Sequence, residues 1–166
     1  MSIYEKKNDL FINKSYLICI FVVIITFLID RISKVKIVDH QINNSSVYIN
    51  DFINLELIWN TGIGFGIFST SSSLFYNSIS ALIGLVIILL IYLLIKSEPF
   101  EKISFSLVIG GALGNFYDRI IYYAVPDFID LHYKSFHWFT FNLADIFISM
   151  GIIMLIGKEI FRKNDK

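Results

Sequence analysis

Charge is scarce in this chain of 166 residues. Only 17% of the residues are charged, where an ordinary soluble domain has about a quarter. Hydrophobic residues make up 55%, and the mean hydropathy is +0.66. This composition disfavours a soluble domain and predicts a polytopic membrane protein. The 14 basic and 14 acidic residues cancel, so no net charge indicates a nucleic-acid or an acidic partner.

Cysteine is almost absent. The single residue, Cys19, excludes an intramolecular disulfide and any multi-cysteine metal cluster, and its Ile, Phe and Val neighbours indicate a packing residue. The apolar run around it is closed by Asp30 and Arg31, with no small-x-small cleavage site. Ile18, not a small residue, precedes the cysteine. We therefore expect a permanent membrane span, neither a cleaved signal peptide nor a lipoprotein signal.

Long apolar windows predict four transmembrane helices, since a bilayer core requires about 20 residues of helix. The windows lie at residues 15–30, 74–95, 103–121 and 139–158. The first is short and needs Lys14 and Arg31 to snorkel at its ends. The second, Leu74 to Ile95, contains no charge. We expect one integral-membrane domain over 1–166, with outward segments at about 31–73 and 122–138.

Basic residues predict the orientation of these spans. Four helices place both termini on one side, which holds nine Lys and Arg residues against five on the other side. By the positive-inside tendency both termini are expected in the cytoplasm. Alternating apolar residues in INLELIW (53–59) predict a strand, and those in DFIDLHYKSFHWF (127–139) predict a hairpin turning at Lys134 and Ser135. The expected fold is a membrane all-α core with a small extracytoplasmic β-sheet or hairpin region.

Polar residues cluster at the outward ends of the predicted spans. Asp30 and Lys34 have the i,i+4 spacing of a salt bridge at a helix end. Gly110 and Gly114 form a small-xxx-small pair that lets another helix approach closely. Asn115, Asp118 and Arg119 follow them. They are typical either of a buried polar brace between helices or of a site.

Two aspartates allow two interpretations each. Asn142 is a favoured N-cap, and Asp145 in the first turn would complement the helix dipole. Asp127 follows Pro126 and can be a turn residue. The predicted hairpin, however, places position 127 opposite position 142, less than one helical turn from Asp145. Two adjacent carboxyl groups at the dry membrane edge would share one proton, which is what peptide hydrolysis by an aspartic dyad requires.

Five motifs together closely resemble lipoprotein signal peptidase, the signal peptidase II family of bacterial inner-membrane aspartic proteases. They are DRISK (30–34), NTGIGFG (60–66), GGALGNFYDR (110–119), VPDFID (125–130) and FNLAD (141–145), in the family's order and spacing. The resemblance extends from Tyr16 to about Arg162. One departure is Arg31, where the family often has Gln.

The resemblance implies roles for particular residues. Asp127 and Asp145 occupy the catalytic positions. The other implied site residues are Asn115 and Asn142 as supports of the dyad and the substrate backbone, Arg119 and Asp118 as pocket residues, and Asp30, Lys34, Asn60 and Gly62 as structural or substrate-positioning residues.

The resemblance also implies a substrate and a location. The substrate is a prolipoprotein, cut before a diacylglyceryl-modified cysteine at the extracytoplasmic edge of the bacterial inner membrane. Membrane lipid is then a further partner, and no nucleic acid, metal or cofactor is implied. We expect a monomer. His40, His132 and His137 lack a ligand spacing such as H-x-x-x-H, so loop or interfacial positions are expected for them.

Other classes of protein fit the residues less well. A transporter or proton-relay subunit would place its acids near the bilayer midplane and break its spans with Gly or Pro. A membrane scaffold would tolerate Asp127→Asn and Asp145→Asn. A rhomboid-like serine protease is disfavoured because the sequence has no Gly-x-Ser-x-Gly motif.

Overall fold

The computed structural model describes residues 3–43, 46–62 and 73–164. Within these ranges the elements, in chain order, are α1 (Ile3–Asn43), β1 (Val47–Asn50), β2 (Ile53–Asn60), α2 (Ser73–Lys96), α3 (Pro99–Tyr122), β3 (Val125–Tyr133), β4 (Phe136–Phe141) and α4 (Leu143–Asn164). Residues 63–72 lie outside the described residues. They hold most of the NTGIGFG motif and of the serine-rich run STSSS (69–73). The protein is mostly helical, with one small sheet.

Two helices are long and apolar enough to cross a membrane. They are Lys14–Gln41 of α1 and Tyr76–Lys96 of α2. Only 17% and 22% of their most apolar windows are buried within the protein, so neither is a core helix of a soluble domain. Their exposed side chains include Leu17, Phe21 and Leu85. An apolar surface of this extent suits lipid, and inside each helix the backbone hydrogen bonds are satisfied without water.

The helix limits differ from the predicted spans most of all in α1, which also begins at Ile3 instead of 15, and in α4. Helix α1 continues to Asn43, so residues 31–43 are helical rather than part of an irregular outward segment. Neither Pro nor Gly interrupts this stretch. Helix α4 begins at Leu143 instead of 139, because residues 136–141 pair with β3 as strand β4. Helices α2 and α3 cover the windows predicted at 74–95 and 103–121.

Helix α3 is the central helix and packs against α1, α2 and α4. Glycines make this possible. A Cβ atom on Gly110 would lie 2.9 Å from the Val23 carbonyl oxygen of α1, and one on Gly114 would overlap the side chain of Asp30. The predicted small-xxx-small contact is therefore confirmed. It brings the backbones of α1 and α3 together beside Asp30, the first polar residue of the DRISK motif.

The four strands form one antiparallel sheet in the order β1-β2-β3-β4. The predicted hairpin turn is confirmed, since Tyr133 pairs with Phe136 and Lys134 has a φ of 56°. A bulge on β4 then shifts the pairing, so that Ile129 faces Phe141. The predicted pairing of position 127 with 142 is therefore wrong by one residue, because the bulge adds a residue to β4 alone.

Cys19 lies at the junction of three helices. It is 3% exposed and clusters with Leu94 of α2 and Ile109 of α3. The prediction that this cysteine is a packing residue is confirmed, since free cysteine behaves as a small hydrophobic side chain.

Candidate active site

Asp127 lies at the start of β3, where the sheet meets the helices. It is 3% exposed. Its Oδ1 accepts a hydrogen bond from Asn142 Nδ2 at 2.5 Å and its Oδ2 one from Asn60 Nδ2 at 2.8 Å. Burial raises the pKa of Asp127 to about 6, the negative charge of Asp145 adds to the rise, and the two amide donors oppose it. A carboxyl group of this kind can change its protonation state near neutral pH.

Asp145 lies in the first turn of α4 and forms a capping box with Asn142. Asn142 Oδ1 accepts the Asp145 backbone N–H at 3.2 Å, and Asp145 Oδ2 accepts the Asn142 backbone N–H, also at 3.2 Å. The N-cap interpretation of these residues is confirmed. It does not exclude a chemical role, because Asp145 Oδ1 still accepts from Asn115 Nδ2 at 2.9 Å. Asn142 thus contacts both aspartates.

The side-chain oxygens of the three amides are all occupied, which fixes the direction of their NH2 groups. Asn60 Oδ1 accepts from the Gly62 backbone N–H at 2.9 Å, and Asn115 Oδ1 accepts from Lys34 Nζ at 2.7 Å. Asn142 Oδ1 is held by the capping box. Each NH2 group is therefore directed at an aspartate. The aspartates are held in place by neutral donors and not by cations in direct contact.

A cavity of about 260 Å³ joins the two aspartates. Its polar lining is Asn60, Asn115, Arg119, Asp127, Asp145 and Ser149. Arg119 is 4% exposed and donates to the backbone oxygens of Gly62 at 2.9 Å and of Asn115 at 3.1 Å. The cavity is therefore lined by the carboxyl groups of Asp127 and Asp145 and by the guanidinium of Arg119, whose Nε makes no hydrogen bond within the described ranges.

A second polar cluster consists of Asp30, Arg31, Lys34 and Asp118 and is called the ion cluster here. Asn115 separates it from Asp145, since its side chain contacts both Lys34 and Asp145. Lys34 Nζ is 2.8 Å from both Asp30 Oδ2 and Asp118 Oδ2, and Arg31 Nη1 is 2.6 Å from Asp118 Oδ1. Asp30 Oδ1 also accepts the Ala144 backbone N–H at 3.0 Å. The predicted Asp30–Lys34 salt bridge is confirmed. The cluster has two charges of each sign and ties the start of α4 to α1.

The resemblance implied ten site residues. Each of them belongs to the group around the cavity or to the ion cluster, or contacts a member of these groups. Those at the cavity or bonded directly to its acids are Asp127, Asp145, Asn60, Asn115, Asn142 and Arg119. Gly62 positions Asn60 and Arg119. Asp30, Lys34 and Asp118 belong to the ion cluster, so Asp118 does not line the cavity as the resemblance implied.

The sequence did not predict the ion pair of Arg31 with Asp118. Arg31 was noted as a departure, yet its guanidinium pairs with Asp118 and stacks over the ring of Tyr117 at 5.0 Å. The i,i+4 rule gives partners on the same helix only. No sequence pattern places residue 31 against residue 118, which is on another helix.

A family comparison decides the class of protein to which this site belongs. The family model for signal peptidase (SPase) II matches residues 22–161. The chain belongs to the signal peptidase II family. Members of this family are aspartic peptidases that remove signal peptides from prolipoproteins, and this chain is an enzyme of that class. The transporter, scaffold and serine-protease interpretations are thereby excluded.

Named relatives match between 71% and 92% of the chain. A lipoprotein signal peptidase of Pelagibacter ubique is 49% identical over 155 residues, 92% of this chain and 93% of the relative. Those of Francisella tularensis subsp. novicida and Anaplasma marginale are 43% and 36% identical, over 71% and 89% of this chain and 76% and 86% of the relatives.

Solved structures give the same result for this signal peptidase II chain. A bacterial membrane enzyme determined by the in meso method is 33% identical, with a TM-score of 0.72, and covers 94% of this chain and 93% of its own. A second such structure is 31% identical, with a TM-score of 0.64 and 88% and 92% coverage. The predicted resemblance to the family is confirmed, and the family is one of bacterial membrane enzymes.

Proposed function

We propose that Asp127 and Asp145 are the catalytic dyad with which this signal peptidase hydrolyses a prolipoprotein before its diacylglyceryl-modified cysteine. The observation that carries the proposal is the double contact of Asn142, which donates to Asp127 through Nδ2 and to Asp145 through its backbone N–H. One residue thereby sets the distance between the carboxyl groups. Both groups line one cavity.

The dyad works with one shared proton. The ionised carboxylate accepts a proton from a water molecule, whose oxygen attacks the scissile carbonyl carbon. The protonated carboxyl donates to the carbonyl oxygen, and the tetrahedral intermediate collapses when the C–N bond breaks and a proton passes to the departing amine of the cysteine. The raised pKa of Asp127, about 6, brings the gain and loss of its proton close to neutral pH.

Arg119 is the proposed donor to the substrate. The amide NH2 groups of Asn115 and Asn142, implied above as supports of the substrate, each hold an aspartate instead. The buried Nε of Arg119 has no hydrogen-bond partner within the described ranges, and its residue lines the cavity. A fixed cationic donor there stabilises the negative charge that develops on the scissile carbonyl oxygen.

An apolar groove along α4 provides a path for a lipidated substrate. It has a volume of about 500 Å³ and is lined by Phe139, Phe141, Asp145, Ile146, Ser149, Met150, Ile153 and Met154. One wall of this groove is therefore a catalytic aspartate, and the rest is almost entirely apolar. An acyl chain or signal helix lying in it would bring the scissile bond to the dyad from the lipid side.

The proposed placement in the membrane is supported by the two ends of the helix bundle. We infer that all four helices span the membrane within one domain, as a monomer, with both termini in the cytoplasm. At the sheet end, exposed aromatic residues such as Trp59, Tyr122 and Trp138 suit the interface. At the other end Lys158 pairs with Glu98 and Glu101, near most of the basic residues. The dyad then lies at the extracytoplasmic face of the inner membrane.

The decisive experiment compares cleavage of two precursors by three purified proteins. The wild-type protein should cleave a diacylglyceryl-modified precursor and leave the unmodified precursor intact. Asp127→Asn and Asp145→Asn should each lose at least about 10²- to 10⁴-fold in rate, since each removes one partner of the proton transfer.

The matched control is Asp51→Asn, which changes an exposed carboxylate in the β1–β2 turn. It should cleave at the wild-type rate. Thermal unfolding of all variants tests whether the fold survives. Retained cleavage by either dyad variant would refute the assignment, and equal cleavage of both precursors would remove the lipid requirement alone.

A further inference from the structure

Outside the dyad cavity, three side chains with metal-ligating atoms come together at the tip of the β3–β4 hairpin. They are Asp130, His132 and His137, and one ligand atom from each lies within 4.8 Å of the others. Their spacing in the sequence matches no helical metal motif. Strand pairing brings them together, because His132 and His137 are direct partners across the hairpin.

The geometry places the three side chains on one face of the sheet. Asp130 and His132 are two residues apart on β3, and His137 is the cross-strand partner of His132. Asp130 Oδ2 is 2.7 Å from His137 Nδ1 and 3.4 Å from His132 Nδ1. Two ligands at about 2.0–2.1 Å from a tetrahedral ion are about 3.3 Å apart, so the 3.4 Å separation matches a coordination shell, whereas the 2.7 Å one is a hydrogen-bond distance that would lengthen when an ion binds.

Two buried polar atoms at this cluster lack a hydrogen bond within the described residues. They are His132 Nδ1, whose side chain is only 6% exposed, and Asn54 Oδ1. Asn54 is the direct partner of Asp130 across β2 and β3, so its side chain emerges on the same face. A buried acceptor without a donor is costly in free energy, and a bound cation would satisfy such an atom.

We propose that Asp130, His132 and His137 form a binding site for a borderline divalent cation of the Zn²⁺ type. Two imidazole nitrogens and one carboxylate oxygen suit Zn²⁺, Cu²⁺ or Ni²⁺, whereas Mg²⁺ and Ca²⁺ prefer oxygen ligands throughout. Both imidazoles bind in the neutral form through Nδ1, with their proton on Nε2. His137 has a side chain 52% exposed, so solvent reaches the ion and a fourth ligand can come from there.

The ion would act on the hairpin and not on the dyad. Asp127 and Asp130 are three residues apart on β3, so their side chains emerge on opposite faces of the strand. Neither histidine nor Asp130 lines the dyad cavity. The ion joins β3, which carries Asp127, to β4, which leads directly into Asn142. The proposal does not depend on the catalytic assignment.

The test uses the full chain in detergent micelles, purified without a histidine tag and freed of metal with a chelator. Calorimetric titration with Zn²⁺ near pH 7 should give one ion per chain. Co²⁺ should give the intense visible absorption of a tetrahedral or five-coordinate site. Binding should weaken at acid pH, because protons compete with the ion for its ligand atoms.

Matched variants identify the ligands. His137→Gln and Asp130→Asn should each weaken Zn²⁺ binding by at least about 100-fold, the upper end of the loss caused by changing a residue that only supports a ligand. His40→Gln is the control histidine, at an exposed position in the last turn of α1, and should bind like the wild-type protein. Asp145→Asn should also bind normally, which separates this site from the dyad.

Two results would overturn the proposal. The first is the absence of stoichiometric binding by the wild-type chain. The second is binding that remains unchanged in both His137→Gln and Asp130→Asn. Thermal unfolding without metal distinguishes lost ligation from lost folding, and His137→Gln is the safer variant because its side chain is half exposed.

Discussion

Two groups of carboxylates lie on either side of Asn115, and they differ in the type of partner that holds them. In the ion cluster, Asp30 and Asp118 contact the cations of Lys34 and Arg31 directly. In the proposed dyad, Asp127 and Asp145 are held by the neutral amides of Asn60, Asn115 and Asn142. The first group is electrically balanced within itself. In the second, two acids share one cavity with a single guanidinium.

This difference shows how one residue type acquires two roles. A buried carboxylate paired with a cation acts mainly on the stability and orientation of the helices. A buried carboxylate held by neutral donors beside a second acid binds a proton more readily. Asn115 connects the groups, since its Oδ1 accepts from Lys34 and its Nδ2 donates to Asp145. The ion cluster therefore orients a support of the dyad.

The largest expected effect comes from breaking the balance of the ion cluster. Lys34→Met keeps the length of the side chain and leaves Asp30 and Asp118 with one cation between them. Removing one partner of a buried ion pair costs about 3–5 kcal/mol. Unfolding by denaturant should show a loss of this size. Lys36→Met, at an exposed position two residues away, is the control. A loss below about 1 kcal/mol would show that the cluster does not act as described.

The next effect separates the two functions of Asn142. Asn142→Ala removes the N-cap, at about 1 kcal/mol of stability, and also the donor to Asp127. Asn142→Ser retains a capping oxygen without the NH2 group. We expect Ser to restore most of the stability while kcat/KM stays about 10- to 100-fold below wild type, since one charge-assisted hydrogen bond contributes about 1.5–3 kcal/mol. Recovery of activity together with stability would show that Asn142 is only a cap.

A smaller effect concerns the proton affinity of Asp127. Asp145→Asn removes a negative charge that raises the pKa of Asp127, so that pKa should fall below about 6. Infrared titration of the carboxyl band, with the Asp127→Asn/Asp145→Asn double variant as reference, measures it. The wild-type pKa of Asp127 lies above its usual 3.8, so the protonated form stabilises the fold fully below pH 3.8, and this contribution is lost as the pH rises through about 6. An unchanged or higher pKa in the variant would contradict the coupling.

The smallest effect is expected at the rim of the ion cluster. Arg31→Gln removes the guanidinium from Asp118 but leaves Lys34 in place. Because Asp118 keeps Lys34 as a cation, the loss of stability should be smaller than that of Lys34→Met, with cleavage of the lipidated precursor unchanged. A loss as large as that of Lys34→Met would show that both cations are equally necessary.

Much of the helical framework and of the site could be predicted from the sequence. The uninterrupted apolar run of α2 and the glycines of α3 depend on local composition and on spacing along one helix. The alternation in β2 and the turn at Lys134 also depend on neighbouring residues only, and the strand and the turn are both present. The extension of α1 to Asn43 was missed because composition alone does not mark where a helix leaves the membrane.

The contacts between elements were beyond the reach of these patterns. The bulge on β4 changed the register by one residue, and the pairing of Arg31 with Asp118 joins two helices. The cluster of Asp130, His132 and His137 was passed over since its members lack a helical ligand spacing. In each case the partners are set by how elements pack, and spacing along the chain carries no information about that.

The sequence by itself determined that this chain is a membrane protein of the signal peptidase II family. Hydropathy and the order of the motifs depend only on which residues follow one another along the chain. Spacing along α1 predicted the pairing of Asp30 with Lys34, but only the tertiary structure decided that Asp118 received cations and that Asp127 and Asp145 received amides. That choice depends on the close approach of α1, α3 and α4 through their small residues. Burial at this junction makes an unpaired charge expensive, so the packing of the helices must supply each acid with a partner.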